Sequence, residues 1–587
     1  MPRQAALPVT RYRAPDLDGI KKLYDRGAWR KALYRAKQAL RQMPDHAGLL
    51  ALAGMAARKL GHWSEAEALL RRAVKADAPG GDPARRLAAL LLERDRPEEA
   101  VAWFSERLRT APEDASACNG MGMALLATGR FPQALTILSE AVRLAPDEAD
   151  YMANLGRAFE LAGMMAEARR AFGLACAIAP DNPGHHAARA RLEQKNGATE
   201  AALESLRAAG ERWPQDAEIL NTRAVILSAL GEVDAARDAL RAAIRADPGN
   251  HAPLVNYATW FSVANAPEIP KALRRMAQDE GGDRSKRASV MFTLARTEEE
   301  AGDDAAAYEA LLQANRMRRA GLRYDPENDA RMFAALKREF ADARAAEPAG
   351  DAAGPVPIFI TGLPRSGTTL TETILSRHAD VTALGELDTL MHAVRRNWLN
   401  PDLPVAEKPA ALARDYMQAL PPVAQAARHV TDKMPLNFRF IGHVVLSMPR
   451  ARIVHVTRDA RATCWSIFRH NFSSAGNAFA YDPEDLVRYH ALYRDLMAFW
   501  EARFPGRIVT LDYDALVADQ EAQTRAFLRA LGLEWDPACL SPEKSRRAVL
   551  TASSGQVRRK VYGGSSQGWR RFERFAGEWL NQLDQAP

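Results

Sequence analysis

The stretch ITGLPRSGTTLTETILSRH at residues 360–378 sets Gly362 and Gly367 at the end of an apolar run, with Thr368, Thr369 and an amphipathic segment behind them. A strand that turns through such a loop into a helix aims several backbone N–H groups, and the positive end of the helix dipole, at one point. An anion is held there. The spacing G-x-x-x-x-G-T-T is that of a nucleoside-triphosphate loop, yet Thr368 stands where that loop carries lysine. Triphosphate cleavage is disfavoured, whereas Arg365 inside the turn suits a phosphate or a sulfonate. A second cationic position lies in VTRDARATCWSIFRH, where Arg458 ends an apolar run and Ser466 follows eight residues later, about two helical turns on. A guanidinium fork and a hydroxyl meeting there suit a terminal monoester phosphate.

The elements that must position these groups belong to an alternating pattern. Apolar runs at 358–361, 451–457 and 507–513 are separated by helical stretches, which predicts a mainly parallel sheet with ligands at the carboxyl ends of its strands. Ahead of it, EPAGDAAGPVP (347–357) reads as a linker.

The first half follows another rule. Alanine recurs at 32, 66, 100, 134, 168, 202 and 236, and proline at 112, 146, 180, 214 and 248, each 34 positions after the last. Gly129, Gly163, Gly197 and Gly231 keep the same step. This is the tetratricopeptide period: glycine turns between two helices, proline where the second ends, and alanine where the pair approaches closely. The expected organisation is a tail at 1–16, about seven repeats over 17–250, a helical extension with a degenerate pair around Gly302 over 251–345, a linker at 346–355 and a second domain over 356–587. Stacked hairpins share one apolar core and offer a concave face to a protein partner; the plainer reading is a spacer or a dimer contact.

With 587 residues, 47% of them hydrophobic, the chain can bury several cores. Its 80 basic and 73 acidic residues, a net charge of +7, do not indicate a nucleic-acid partner. Cys118, Cys176, Cys464 and Cys539 are isolated, without metal or redox spacing, and point to a reducing compartment. MPRQAALPVTRYRAPD lacks an apolar leader, and no uncharged apolar run reaches membrane-spanning length. The expected location is the cytoplasm. His378, His443, His455 and His470 show no metal-ligand spacing and are expected to serve packing or surface roles, with His470 nearest the Ser466 helix.

Together PRSGTTL, GEL, DKMP and TRDARATCWSIF resemble the sulfotransferase superfamily, in order and spacing closest to tyrosylprotein sulfotransferases and to bacterial tetratricopeptide–sulfotransferase fusions. The resemblance covers residues 356–587. It implies an all-α tetratricopeptide superhelix followed by an α/β P-loop-like sulfotransferase domain with a mainly parallel sheet. It implies 3′-phosphoadenosine 5′-phosphosulfate as co-substrate, with no metal. Arg365, Ser366, Gly367, Thr368 and Thr369 would cradle the 5′-phosphosulfate, Arg458 and Ser466 would hold the 3′-phosphate, and Tyr513 would lie near the nucleotide. Gln556, Val557 and Trp569 match the family's closing segment, with Arg559 where a lysine contacts the co-substrate and Lys560 where tyrosine-sulfating members have proline.

Sulfuryl transfer moves an SO3 unit in line between two oxygens, so the acceptor must lose a proton and charge on the leaving phosphate oxygen must be neutralised. Glu386 matches the family's general base; Lys433 and Arg365 match the groups on the leaving oxygen. Read singly, Glu386 is a helix N-terminal carboxylate and Lys433 a surface lysine before a proline. Asp388 stands where tyrosine-sulfating members carry an acceptor-binding arginine, so the acceptor stays open among a peptide or protein tyrosine, a glycan, a lipid headgroup and a small phenol. A repeat-based binding scaffold with an inactive nucleotide fold is the competing function, and a P-loop kinase a third.

Overall fold

A computed structural model describes residues 16–76, 83–94, 96–196, 198–278, 284–345, 354–472, 475–545 and 564–584. The chain forms two compact units: Met1–Ile226 with Asp234–Pro253 and Arg275–Arg287, and Leu227–Val233 with Leu254–Arg274 and Ala288–Pro587.

In the first unit helices alternate with tight turns at the step read from the sequence. Helix Ala115–Ala127 is joined to Phe131–Leu144 and helix Ala149–Leu161 to Met165–Ile178, through Gly129 (φ +73°) and Gly163 (φ +79°). Those dihedrals lie in the left-handed region, which only glycine enters cheaply. The periodic alanines are buried: Ala134, Ala168 and Ala202 show no exposure. Gly197 lies outside the described residues.

In the second unit five strands form one parallel sheet in the order β2-β3-β1-β4-β5: β1 (Val356–Gly362), β2 (Val381–Ala383), β3 (His429–Asp432), β4 (Arg452–Thr457) and β5 (Ile508–Asp512). The chain leaves β1 toward β2 and β3 on one side and later adds β4 and β5 on the other. The loop after β1 is therefore the point where strand order reverses, the usual ligand crevice of such sheets. The helices of this unit include α1 (Asp304–Ala320), α2 (Pro326–Glu339), α3 (Thr368–Leu375), α4 (Ala460–Phe468) and α5 (Pro483–Arg503).

Alternation along the strands gives each face its own core. Ile358, Ile360, Val454, Val456 and Leu511 pack against Ile374, Leu375 and Phe527. On the opposite face Phe359 meets Tyr416, Phe438 meets Tyr493, and Phe333 of α2 lies edge-on to Phe438 and Tyr489. Helix α1 ties in by polar bonds: Asn315 Nδ2 donates to the Phe468 carbonyl at 3.0 Å, and Arg319 pairs with Asp485 at 2.8 Å. Helices α1 and α2, although ahead of the linker, thus belong to the compact unit that holds the sheet. All four cysteines are buried and free.

Candidate active site

The loop from β1 into α3 uses backbone conformations that favour glycine. Among the described residues Arg365 is the one non-glycine with positive φ, +69°, a conformation that costs an L-residue roughly 1–2 kcal/mol. A Cβ on Gly362 would stand 2.6 Å from the Val456 carbonyl oxygen, and one on Gly367 (φ +110°) would stand 2.4 Å from Tyr513 Cδ2. Both glycines permit close approach of neighbouring chain. Thr368 and Thr369 open α3 and are buried. The first-turn amides of a helix are not used in its i to i−4 bonds, so a helix start of this kind can donate to an anion.

Ser366 sharpens the case for an anion here. Its hydroxyl is buried, with the residue 2% exposed, and has no hydrogen-bond partner among the described residues. A buried polar group left unpaired is costly, and a phosphate or sulfate oxygen would satisfy it. Beside the loop lies a cavity of about 950 Å³ bounded by Ser366, Arg458, Thr463, His455, Tyr493 and Glu501. The residues present fit a phosphorylated ligand.

The second cationic position joins the first. Arg458 follows β4, Asp459 caps α4 by accepting from Ala462 N at 2.7 Å, and Ser466 lies in the last turn of that helix. Arg365 Nε donates to Ser466 Oγ at 3.1 Å, while Arg458 Nη1 donates to the Arg365 carbonyl at 3.0 Å. The Arg458 guanidinium lies 4.8 Å from the Tyr513 ring centroid. Arg365, Ser466, Arg458, Gly367 and Tyr513 are therefore one cluster, drawn from the ends of β1, β4 and β5. His470 lies close enough for the Arg365 charge to act on it; burial first, and that charge second, push its imidazole down to about 4.

The other pole lies at the ends of β2 and β3. Lys433, directly after β3, is fully buried and forms an ion pair with Glu386, whose side chain keeps 45% of its exposure. The lysine is not a surface residue. Its charge is directed inward at a single carboxylate, whereas that carboxylate remains open to an incoming hydroxyl. Asp432 beside it is buried, accepting from Tyr416 Oη at 3.2 Å and Asn437 Nδ2 at 3.3 Å. Burial pushes its carboxyl well above the usual range, the Tyr416 bond opposing and the Glu372 and Asp388 charges adding to the rise.

Several members of the site were not read from the sequence. Ser565 and Ser566 meet Arg458 through the Ser565 carbonyl at 2.7 Å and Ser566 Oγ at 2.9 Å, and Tyr513 Oη bonds Ser565 Oγ at 2.8 Å. Asp514 accepts from Ser566 Oγ and from Asp459 N. The only signal for the serines is the small-residue run GGSSQG inside the closing segment. Arg559, with Gln556, Val557 and Lys560, lies outside the described residues; Trp569 is buried, with Arg461 over its ring at 5.1 Å. His378, His443 and His455 are buried, and His443 packs edge-on to Trp398 and Phe340. Among the described residues no group of three or more His, Cys, Asp and Glu could hold a metal, and no helix is long and apolar enough to cross a membrane.

In the first unit a cavity of about 560 Å³ is walled mainly by the first helices of successive hairpins, including Asn154, Arg157, His185, Arg191 and Glu218.

Comparison with known proteins gives two kinds of match. Residues 357–537 match the Sulfotransferase family, and residues 23–83, 119–183 and 187–251 match tetratricopeptide repeats. An uncharacterized protein of Aquifex aeolicus (strain VF5) is 29% identical over 331 residues, 54% of this chain and 42% of its own length. A protein-tyrosine sulfotransferase of Drosophila melanogaster is 27% identical over 199 residues, 32% of this chain and 40% of that protein. Protein-tyrosine sulfotransferase 1 of Danio rerio is 23% identical over 209 residues, 32% of this chain and 56% of that protein. The chain thus spans about half or less of the length of these three relatives.

Proposed function

The chain carries a sulfotransferase-family domain behind tetratricopeptide repeats, and from that premise we propose that it transfers a sulfuryl group from 3′-phosphoadenosine 5′-phosphosulfate to an acceptor hydroxyl. The observation that carries this reading is the joined cluster of Arg365, Ser466 and Arg458 beside the unpartnered Ser366 hydroxyl. A nucleotide with two separate phosphates needs two anion positions within reach of each other. When bound, it supplies an SO3 unit on a mixed anhydride, ready for in-line displacement.

The chain's own groups then divide the work. Ser366, Thr368, Thr369 and the loop amides, with Arg365, would hold the 5′ end, and Arg458 with Ser466 the 3′-phosphate. Tyr513 would flank the nucleotide, and Arg559 is proposed as a further contact. Glu386 would take the acceptor's proton, reachable because it is half exposed. Lys433 and Arg365 would offset charge growing on the leaving oxygen, worth most where water is excluded, as at the buried lysine. No step calls for a metal.

The acceptor proposed is a tyrosine or another phenolic hydroxyl of a peptide or protein, recruited by the repeat array; the relatives named as protein-tyrosine sulfotransferases and the polar cavity of the array support it. The proposed location is the cytoplasm. The test is transfer of radiolabelled sulfate from the nucleotide to tyrosine peptides, glycans and 4-nitrophenol, by the wild type and by Glu386→Gln. The amide still accepts from Lys433, so the variant folds, and transfer is expected to fall ~10²–10⁴-fold. Transfer at the wild-type rate would remove Glu386 from catalysis, and no transfer by the wild type to any acceptor class would favour the binding scaffold.

A further inference from the structure

Glu372 lies in the second turn of α3 and is 4% exposed, a carboxylate buried in the helix that opens at the anion loop. Its Oε1 accepts two hydrogen bonds from elements distant in sequence: Gly385 N at 2.8 Å and Thr431 Oγ1 at 2.7 Å. Gly385 immediately precedes Glu386, and its φ of +82° makes glycine the residue for that bend. The Gly385 carbonyl in turn accepts from Lys433 N at 2.8 Å, and Leu384 N donates to the Thr431 carbonyl at 3.3 Å. Gly385, the residue ahead of Glu386, is thus gripped at both its N–H and its C=O.

A buried carboxylate is expensive, and a packed apolar side chain would serve the core as well. What an apolar side chain could not do is accept from Gly385 and Thr431 together. We propose that Glu372 is a positioning residue: it fixes the loop bearing Glu386 and the strand end bearing Lys433 to the helix whose first turn holds the phosphosulfate. The inference rests on the reaction assigned above and adds to it the element that sets base, cation and donor in register. In-line transfer is sensitive to that register, since a displacement of ~1 Å can cost ~10² in rate.

The test compares two isosteric substitutions. Glu372→Met keeps the volume and removes the acceptor; Glu372→Gln keeps an oxygen that can accept both bonds. The methionine variant is expected to lose ~30–100-fold in kcat with the KM for nucleotide within ~3-fold, and the glutamine variant to stay within ~3-fold of wild type. Backbone hydrogen exchange over residues 384–388, read by mass spectrometry in the same proteins, should rise in the methionine variant and not in the glutamine variant. Where the methionine variant does not fold, Thr431→Val, which removes one of the two donors, should lower kcat ~3–10-fold at unchanged nucleotide KM. A methionine variant with wild-type kcat, a glutamine variant as impaired as methionine, or loss expressed equally in nucleotide KM would each overturn the proposal. The exchange arm needs no acceptor: a wild type that transfers nothing refutes the assigned reaction, while equal exchange in all three proteins refutes the positioning role.

Discussion

The two compact units use buried polar groups differently. In the repeat array buried positions fall mostly to alanine and leucine, with exceptions such as Asp114, Asn119 and Glu193, and many charges sit outside as neighbours on one helix, such as Arg109–Glu106, Arg143–Glu140 and Arg207–Glu204. Exposed pairs of this kind contribute little each. In the sheet-bearing unit Lys433, Asp432, Glu372, Ser366, His443 and His490 are all buried, and Lys433 and Glu372 take partners from far along the chain. Burying such groups is costly, so a fold keeps them where arrangement matters more than stability. The array spreads a modest stability over many similar copies, whereas several of the costly groups of the sheet-bearing unit, Lys433, Asp432 and Ser366 among them, lie at strand ends, where chemistry is expected.

That contrast can be broken first at Lys433. Lys433→Met fills the same space and leaves Glu386 half exposed rather than buried and alone, so folding should survive while transfer falls ~10²–10³-fold, measured as kcat with labelled sulfate. A methionine variant that transfers normally would place the cost of the buried lysine outside catalysis. At Gly367 the effect is next in size: alanine forces φ +110° on an L-residue and drives a Cβ into Tyr513. Affinity for adenosine 3′,5′-bisphosphate, read by calorimetry, should weaken ~10-fold or more, matching a strain of roughly 1–3 kcal/mol.

Acid should separate the units as well. Burial lowers His443 to about 3 and His490 to about 4 from an ordinary value of 6.5, and His470 falls to about 4. The unfolded chain therefore binds more protons below pH 6.5. The stability these residues contribute is fully present above 6.5 and is lost as pH falls through the folded values. These rings should cost the sheet-bearing unit stability between pH 6.5 and 4, at ~1.4 kcal/mol for each tenfold drop in a ring's proton affinity on folding, opposed in part by the buried Asp432, whose raised carboxyl favours the folded state as it protonates. His443→Phe should reduce the fall in melting temperature over that range, and an unchanged fall would contradict the burial of that ring. The smallest effect is expected in the array: Ala134→Leu overpacks a helix contact and should cost ~1–3 kcal/mol in that unit's transition without changing nucleotide affinity.

Legibility in the sequence follows the same division. A period of 34 exposes the array because each hairpin repeats a local solution, and β1, β4 and β5 are visible as apolar runs. Strands β2 and β3 are not, being three and four residues long, with Thr382, His429, Thr431 and Asp432 among them. Arg365, Arg458 and Ser466 are legible because their types and spacing form a motif, yet that Arg365 would donate to Ser466, 101 positions away, is a property of sheet order. Asp514 and Glu372 carry no local signal, and Ser565 and Ser566 only the small-residue run in which they lie. Their roles arise only when distant strand ends meet, and the same holds for the burial of Lys433, which alone turns a lysine before a proline into half of an ion pair.

The most direct measurement of the central claim is thermal stabilisation of the full chain by adenosine 3′,5′-bisphosphate against ATP with magnesium. A ligand that prefers the folded state stabilises it by about 2.7 kcal/mol at a hundred times its Kd. The account predicts that the bisphosphate raises the melting temperature of the sheet-bearing unit, that Arg458→Ala removes the rise, and that ATP with magnesium has no effect. Stabilisation by ATP with magnesium and none by the bisphosphate would contradict it.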